Sequence, residues 1–484
     1  MFAQGGRAQE ILTSLPYVRS TQGASVAYLD IAPNRELRVL DTVAETGPKL
    51  VELDDETAAA INDPRSPVRA VPVVEYGRPD EPLRPLGGVS LAPATGATNV
   101  KITCVDAASG ADVAGVHVVA FTNFAARTGD EGITDNAGHV VLQLSGTTID
   151  RLYAYPPAGH WGGFLRTLST TGPGPIIVSL TEVDLNLVDC VRHYYGNTQL
   201  DASTGVTVGV VDTGVDPHGG VNIVGGRNTV TGEPAGDYSD GGIHGTHVCG
   251  LVGADGVPPA GLRGVAPGVP INIYRVFPGG GGGATNYAIL KALFYAAQDG
   301  CDVVNLSLGG GPYDEIVAEA ITDACNQGML VLIAAGNDHR SAVSYPAAYA
   351  GAVAVSAMGR VGTFPPGSLE EGDVQRPPSS TADADEFIAA FSNIGPQIAV
   401  TAPGVGALST LPGGAFGPLS GTSMAAPVAA GATACLLSRD GAVYGMTRDR
   451  SRSDAIAKLL QSNSIARGFG LTYEGYGLPN PAAV

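Results

Sequence analysis

The sequence predicts an α/β protein: a doubly wound parallel sheet, preceded by a small α+β domain and a small β-sandwich. Three observations predict it. From about residue 185 to the end, apolar strand-length runs alternate with helical stretches, the pattern of a parallel sheet covered on both faces. Between about 89 and 184 the chain consists of short β-rich runs split by turn signals, as in a sandwich of antiparallel strands. The first 88 residues mix strand-like runs with one short acidic-started helix. The expected domains are therefore 1–88, 89–184 and 185–484.

Within the first domain, "ELRVLDTV" and "PKLVELD" read as strands, "DDETAAAIND" as a helix and "VRAVPVVEY" as a third strand. "GRPDEPLRPLGG" reads as a linker, because Pro and Gly break both regular patterns. In the second domain "VKITCVD", "GVHVVAFTNF", "GHVVLQL", "RLYAYP" and "PIIVSLTEV" are the strands, with turns at Ala108-Ser109-Gly110 and Asp135-Asn136-Ala137-Gly138. In the third, "VTVGVV", "INIYRV", "DVVNLSL" and "MLVLIAAG" are strands. "HGTHVCGLVG" starts a helix, and "TNYAILKALFYAAQDG" and "YDEIVAEAITDACNQG" are helices closed by Gly300 and Gly328.

With 44% hydrophobic and 15% charged residues the chain can bury sizeable cores. Its 27 basic against 46 acidic side chains leave a net charge of −19, which repels a phosphate backbone and excludes nucleic acid as an expected partner. No apolar run is long enough to span a bilayer, so no membrane partner is expected. The first residues lack the charged start and apolar core of a secretory signal, so the chain as given reads as soluble and cytoplasmic, with secretion as the alternative. Six cysteines without CxxC spacing read as ordinary thiols rather than as a zinc site.

Ser423, in "SGTSMAAPVAAG", stands at the start of a small-residue helix. It could cap that helix or act as a nucleophile, but nothing in its own stretch could take its proton. A serine hydroxyl needs a neutral imidazole as base and a carboxylate to hold that imidazole. In doubly wound sheets such groups gather at the carboxyl ends of strands. "VTVGVV" ends directly in Asp212, a residue that could otherwise serve a turn. Of eight histidines, His244 and His247 lie three apart in "GGIHGTHVCG". HxxH lacks the acid of HExxH and a third ligand, so no metal is expected. His244, at the helix start, is the expected base, and His247 a structural residue hydrogen-bonded beneath it. His117 and His139 read as ordinary strand residues. The amide of Asn337, in "LIAAGND", and the backbone N–H of Ser423 are the expected donors to an oxyanion.

"VVDTG", "HGTHV", "AAGN" and "GTSMAAP", in that order, resemble the subtilisin-like serine proteases. The resemblance extends over about residues 190–484, through "GVAPG", "NLSLGG", "SYPAAY", "FSNIG" and "TAPGV". It implies a serine endopeptidase working through an acyl-enzyme, with a polypeptide substrate and no required cofactor. It also implies that the backbone of Ser307, Leu308 and Gly309 pairs with an extended substrate, opposite a wall made by "FPGGGGGAT". The first domain resembles the family's inhibitory propeptides. That likeness makes the chain's own N-terminal region an inhibitor with residues near Tyr76 in the substrate site and a cleavage point nearby. The second domain is similar to sandwich modules of the carboxypeptidase-regulatory type, which implies packing or docking. Departures from the family pattern are Ile243 before His244, Val428 after Pro427 and Cys249 just after the His motif. The loop where many relatives bind calcium offers one carboxylate, Asp255. Two other readings of the same residues are a catalytically silent scaffold and an esterase or peptide ligase.

Overall fold

The structure is a computed structural model; it describes residues 8–12, 26–28, 36–44, 47–64, 68–77, 96–172, 174–201 and 203–483. An eight-stranded sheet organises the C-terminal part. Its strands run in the order Ile223–Asn228, Ile271–Arg275, Val208–Asp212, Val303–Leu306, Leu330–Ala334, Ala352–Arg360 and Glu386–Ile388, with Ile398–Pro403 also paired to Ala352–Arg360. Every pairing is parallel except that of Glu386–Ile388.

Alternate residues of these strands enter two apolar cores. Val208, Val210, Leu330 and Leu332 belong to one, which holds the helices His244–Gly253 and Thr422–Arg439. Val211, Val304, Val331 and Ile333 belong to the other, under the helices Asn286–Gln298 and Glu315–Asn326. The two-residue period of a strand places neighbours on opposite faces, so continuous apolar runs are what a doubly covered sheet requires. The strand Val208–Asp212 has Ile271–Arg275 on one side and Val303–Leu306 on the other. Its carboxyl end is therefore the switch point at which a crevice opens.

Residues 98–180 form a three-stranded and a four-stranded sheet. Their facing side chains, among them Ile102, Val118, Leu142, Leu152 and Val178, share one core. The outer face of the four-stranded sheet carries Phe121, Tyr153 and Phe164, which pack against Leu369. Gly163 pairs with Ser368, and Trp161, 1% exposed, is part of the core around the Ser423 helix. The sandwich is thus built into the C-terminal part, more intimately than a docking module requires.

The N-terminal unit is a five-stranded antiparallel sheet in the order Val26–Tyr28, Glu36–Thr42, Lys49–Leu53, Ala8–Leu12, Ala70–Pro72. The helix Asp55–Ile61 packs on one face, its first turn capped by Asp54, which accepts from Thr57 N at 2.7 Å. The other face sets Ile11, Val43 and Leu50 against Tyr287 and Ile316 on the two surface helices. Ala8–Leu12 and Val26–Tyr28 were not among the expected strands. "VRAVPVVEY" is two strands, not one: Ala70–Pro72 stays in this sheet, and Glu75–Tyr76 leaves it. Asn286 makes the break. Its side chain accepts from Val74 N at 3.2 Å and donates to Pro72 O at 3.0 Å, taking over bonds a continuous ladder would use. The expected linker beyond Gly77 lies outside the described residues.

Candidate active site

Asp212 is the last residue of its strand and is fully buried. His244 is the first residue of its helix, 1% exposed, and its Nδ1 lies 2.8 Å from Asp212 Oδ1. The helix reaches so close to the Asp212 strand because of Gly245. A Cβ there would collide with the carbonyl of Gly214, so only glycine allows this approach.

The helix start has no capping side chain at Ile243. Two residues outside the helix bind its free N–H groups instead. Thr213 Oγ1 accepts from Gly245 N at 2.9 Å, and Asp240 accepts from Thr246 N at 2.8 Å and from Thr246 Oγ1 at 2.6 Å. Thr213 also donates to Asp240 at 2.7 Å, which closes the network on the strand that carries Asp212. Burial, and to a lesser degree the Asp212 charge, raises the Asp240 pKa. Sequence reasoning missed Asp240. The signal was there: an Asp just ahead of a helix start, in "DGGIHGT".

His247 is fully buried, one turn along, with Nε2 at 3.0 Å from Ala407 O and 3.1 Å from Gly417 O. Burial first, and His244 second, push its pKa down to about 3, so the ring is neutral and the bond to a carbonyl is an N–H donation. Cys249, on the same helix, is buried, and its thiol pKa is pushed well up by that burial, which makes it unreactive.

Ser423 is the second residue of the helix Thr422–Arg439 and 5% exposed. Its N–H lies in the first turn, where no intrahelical acceptor exists. Pro427, four residues on, has no N–H and leaves the Ser423 carbonyl without its helical donor. Ser307 Oγ fills the gap at 2.8 Å, itself accepting from Asn305 Nδ2 at 2.9 Å. The strand end expected to bind substrate is thus tied by a side chain to the serine's own backbone.

Asn337 stands beside the same helix start. Its Oδ1 accepts from Thr422 N at 2.9 Å and Thr422 Oγ1 at 2.8 Å. A backbone N–H can only donate, so this bond fixes which way the amide faces and turns Nδ2 toward the cleft. Gly336, at φ +108, makes the turn that delivers Asn337; a side chain there would be strained and would meet Ser344 and Asn393.

Leu308 and Gly309 line a cleft of about 1140 Å³ together with Ile243, Asn337 and Ser423. A peptide already runs along it. Glu75 and Tyr76 pair antiparallel with Thr285 and Ala284, and Gly77 N donates to Gly309 O at 3.1 Å. The wall opposite Gly309 is therefore the end of the Gly-rich run, where a Cβ on Gly283 would strike the backbone of Tyr76. Tyr76 is fully buried, in the apolar cluster of Leu308 and Ile289 and against Gly311. Asp255 is exposed and pairs through its backbone with Arg263. Among the described residues no group of three or more His, Cys, Asp and Glu side chains is placed to hold a metal ion.

A buried carboxylate bonded to an imidazole at the switch point of a parallel sheet, with a serine and an amide at the start of the helix packed against the imidazole's own, is the residue set of serine hydrolases. The subtilase family profile matches residues 203–472. Subtilisin BL of Lederbergia lenta is 38% identical over 231 residues, 48% of this chain and 76% of that protein. Subtilisin DY of Bacillus licheniformis is 37% identical over 240 residues, 48% of this chain and 77% of that protein. The thermostable alkaline protease of Halalkalibacterium halodurans is 34% identical over 309 residues, 64% and 74% of the two chains. The chain belongs to the subtilase family, and it is a subtilisin-like serine endopeptidase. Among the described residues no helix is long and apolar enough to cross a membrane.

Proposed function

We propose that the chain cuts polypeptides through an acyl-enzyme on Ser423, and that its first domain is an inhibitory propeptide removed by that same activity. Asp212 holds Nδ1 of His244, leaving Nε2 to take the Ser423 proton as Oγ attacks the substrate carbonyl. The oxyanion is held by the Ser423 N–H and Asn337 Nδ2, both in place before reaction. His244 then gives its proton to the leaving amine, and water, deprotonated by the same ring, releases the acyl group. Substrate is gripped by its main chain at Gly309 and Leu308, which tolerates many sequences, while the Tyr76 pocket adds side-chain preference.

The observation that carries the self-inhibition is the chain's own segment Glu75–Gly77 laid as a strand in the cleft. A substrate in that register, antiparallel to Gly309, advances past Leu308 and Ser307 toward Ser423. Cleavage is therefore expected a few residues beyond Gly77. Two measurements separate this reading from its competitors. A fluorophosphonate probe should label Ser423 in the wild type and nothing in Ser423→Ala; an unlabelled wild type would mean a silent scaffold. Product analysis with an added amine should give mainly hydrolysis; mainly amide product would mean a ligase.

A further inference from the structure

The cleft does not end at Ser423. It continues past Pro418, Leu419 and Ser420 to Glu370, and its far wall is the four-stranded face of the sandwich. The peptide direction set by Glu75, Tyr76 and Gly77 makes this far half the leaving side, where residues beyond the cut would lie.

Glu370 is 4% exposed and lines this half of the cleft. Its Oε1 receives one long bond, 3.5 Å from Ser420 Oγ; its Oε2 receives none of good geometry, with the hydroxyl of Ser368, itself unpartnered, close by. The half-buried Asp373 follows it in the lining, and the buried hydroxyl of Tyr155, on the sandwich wall, is also unpartnered. Among the described residues no cation pairs with Glu370 or Asp373. The arginines that line the cleft lie on aromatic faces, although Arg127 keeps one Nη1 buried and without a hydrogen bond. Arg127 and Arg151 lie over the Phe124 ring, at 4.0 and 3.6 Å from its centre, and Arg166 over Phe164 at 4.5 Å. His117 faces Glu131 at 3.0 Å, and His160 faces Asp106 at 3.3 Å.

A buried carboxylate oxygen without a donor is costly, and it calls for a partner such as water, an ion or a ligand group. We propose that Glu370, with Asp373 and Tyr155, forms a subsite for a cationic side chain, lysine or arginine, on the leaving side of the scissile bond. The subsite is shared between the two domains: the sandwich supplies Tyr155, and the catalytic domain supplies the acids. An ammonium would donate to Glu370 Oε2, while its methylene stem lies along Tyr153 and Tyr155. Burial raises the pKa of both acids, and an arriving cation restores the charged form. The sandwich becomes a selector of substrate rather than a tether.

This inference rests on the endopeptidase reading. It is tested with quenched peptides that differ in one residue, lysine against norleucine, walked through the first three positions beyond the cut. Rates are expressed per chain that reacts with fluorophosphonate. At one position the wild type should favour lysine by about tenfold or more in kcat/KM, the size of one charge-assisted hydrogen bond. In Glu370→Gln that ratio should fall toward one, with the change carried mainly by KM. A wild type with no lysine preference at any position, or with a preference for glutamate, overturns the subsite and leaves the protease intact; so does a ratio unchanged in Glu370→Gln. The wild-type ratio needs no variant to fold. Hydrolysis of neither peptide would overturn the subsite together with the reading beneath it.

Discussion

Two N-terminal regions border the same cleft, and they are fastened in opposite ways. The five-stranded sheet rides on the surface helices through a few apolar side chains and peripheral ion pairs. Arg69 meets Glu315 and Glu319 at 2.6 and 2.9 Å with both partners about half exposed, and Lys291 meets Asp41 at 2.6 Å. The exposed Arg69 pairs contribute little, whereas the Lys291–Asp41 pair is largely buried. The sandwich instead inserts Trp161 into the catalytic core and extends backbone pairing through Gly163 and Ser368. The first attachment is mostly peripheral, though its strand Glu75–Tyr76 also buries Tyr76 in the catalytic core; the second is central. Under the proposed maturation, loss of the first sheet would leave the sandwich as a wall of the cleft.

The comparison can be broken from either side. The largest effect belongs to the chemistry both regions border. Ser423→Ala should lower kcat by about 10⁶-fold, and Asn337→Leu by about 10²–10³-fold with KM little changed. Both magnitudes are those already known for subtilisins, carried over to the matching residues here. Steady-state kinetics on one peptide checks them. Next comes the fixed domain. Trp161→Ala should cost about 3–5 kcal/mol in urea unfolding, because it empties a core site shared by two domains. A loss below about 1 kcal/mol would mean that the sandwich is merely tethered. Ser307→Ala should cost about 1–3 kcal/mol by leaving the Ser423 carbonyl buried without a donor, together with a fall in kcat.

A pH series sharpens the picture of the rigid half. His247 has its pKa lowered from 6.5 to about 3 by burial. The unfolded chain therefore binds this proton between those values and the folded chain does not. Stability from this group is complete above pH 6.5 and declines as pH falls toward 3, by roughly 1.4 kcal/mol per unit at most. His247→Gln should flatten that part of the urea-midpoint profile. The smallest effect is at the departing sheet. Arg69→Ala should weaken rebinding of a separately made N-terminal fragment by no more than about 1 kcal/mol, and added salt should erase the difference.

The placement of the proposed catalytic residues was legible in the sequence because the chemistry they would carry forces particular residues onto strand ends and helix starts. Asp212, His244, Asn337 and Ser423 could be placed on such positions from local pattern alone. The alternation of strand and helix was legible for the same reason, since every buried strand needs its apolar run. What could not be read is contact between distant segments. Trp161 in "HWGGF" carries no periodic signal of its destination, and Glu370, in an irregular "SLEEGD", looks like any exposed loop acid. The split in "VRAVPVVEY" was hidden too, because the side chain that causes it, Asn286, lies on a helix over two hundred residues away. Strand propensity continued through Val73 and Val74, and tertiary bonding overrode it.

One measurement bears most directly on the account: the N-terminal sequence and mass of the purified wild type beside Ser423→Ala. Self-cleavage before the sandwich gives an intact variant and a wild type that begins beyond Gly77 and before Thr98, the start of the sandwich, with the sandwich retained on the catalytic domain. Two chains of equal length, or a wild type that has lost the sandwich as well, would contradict it.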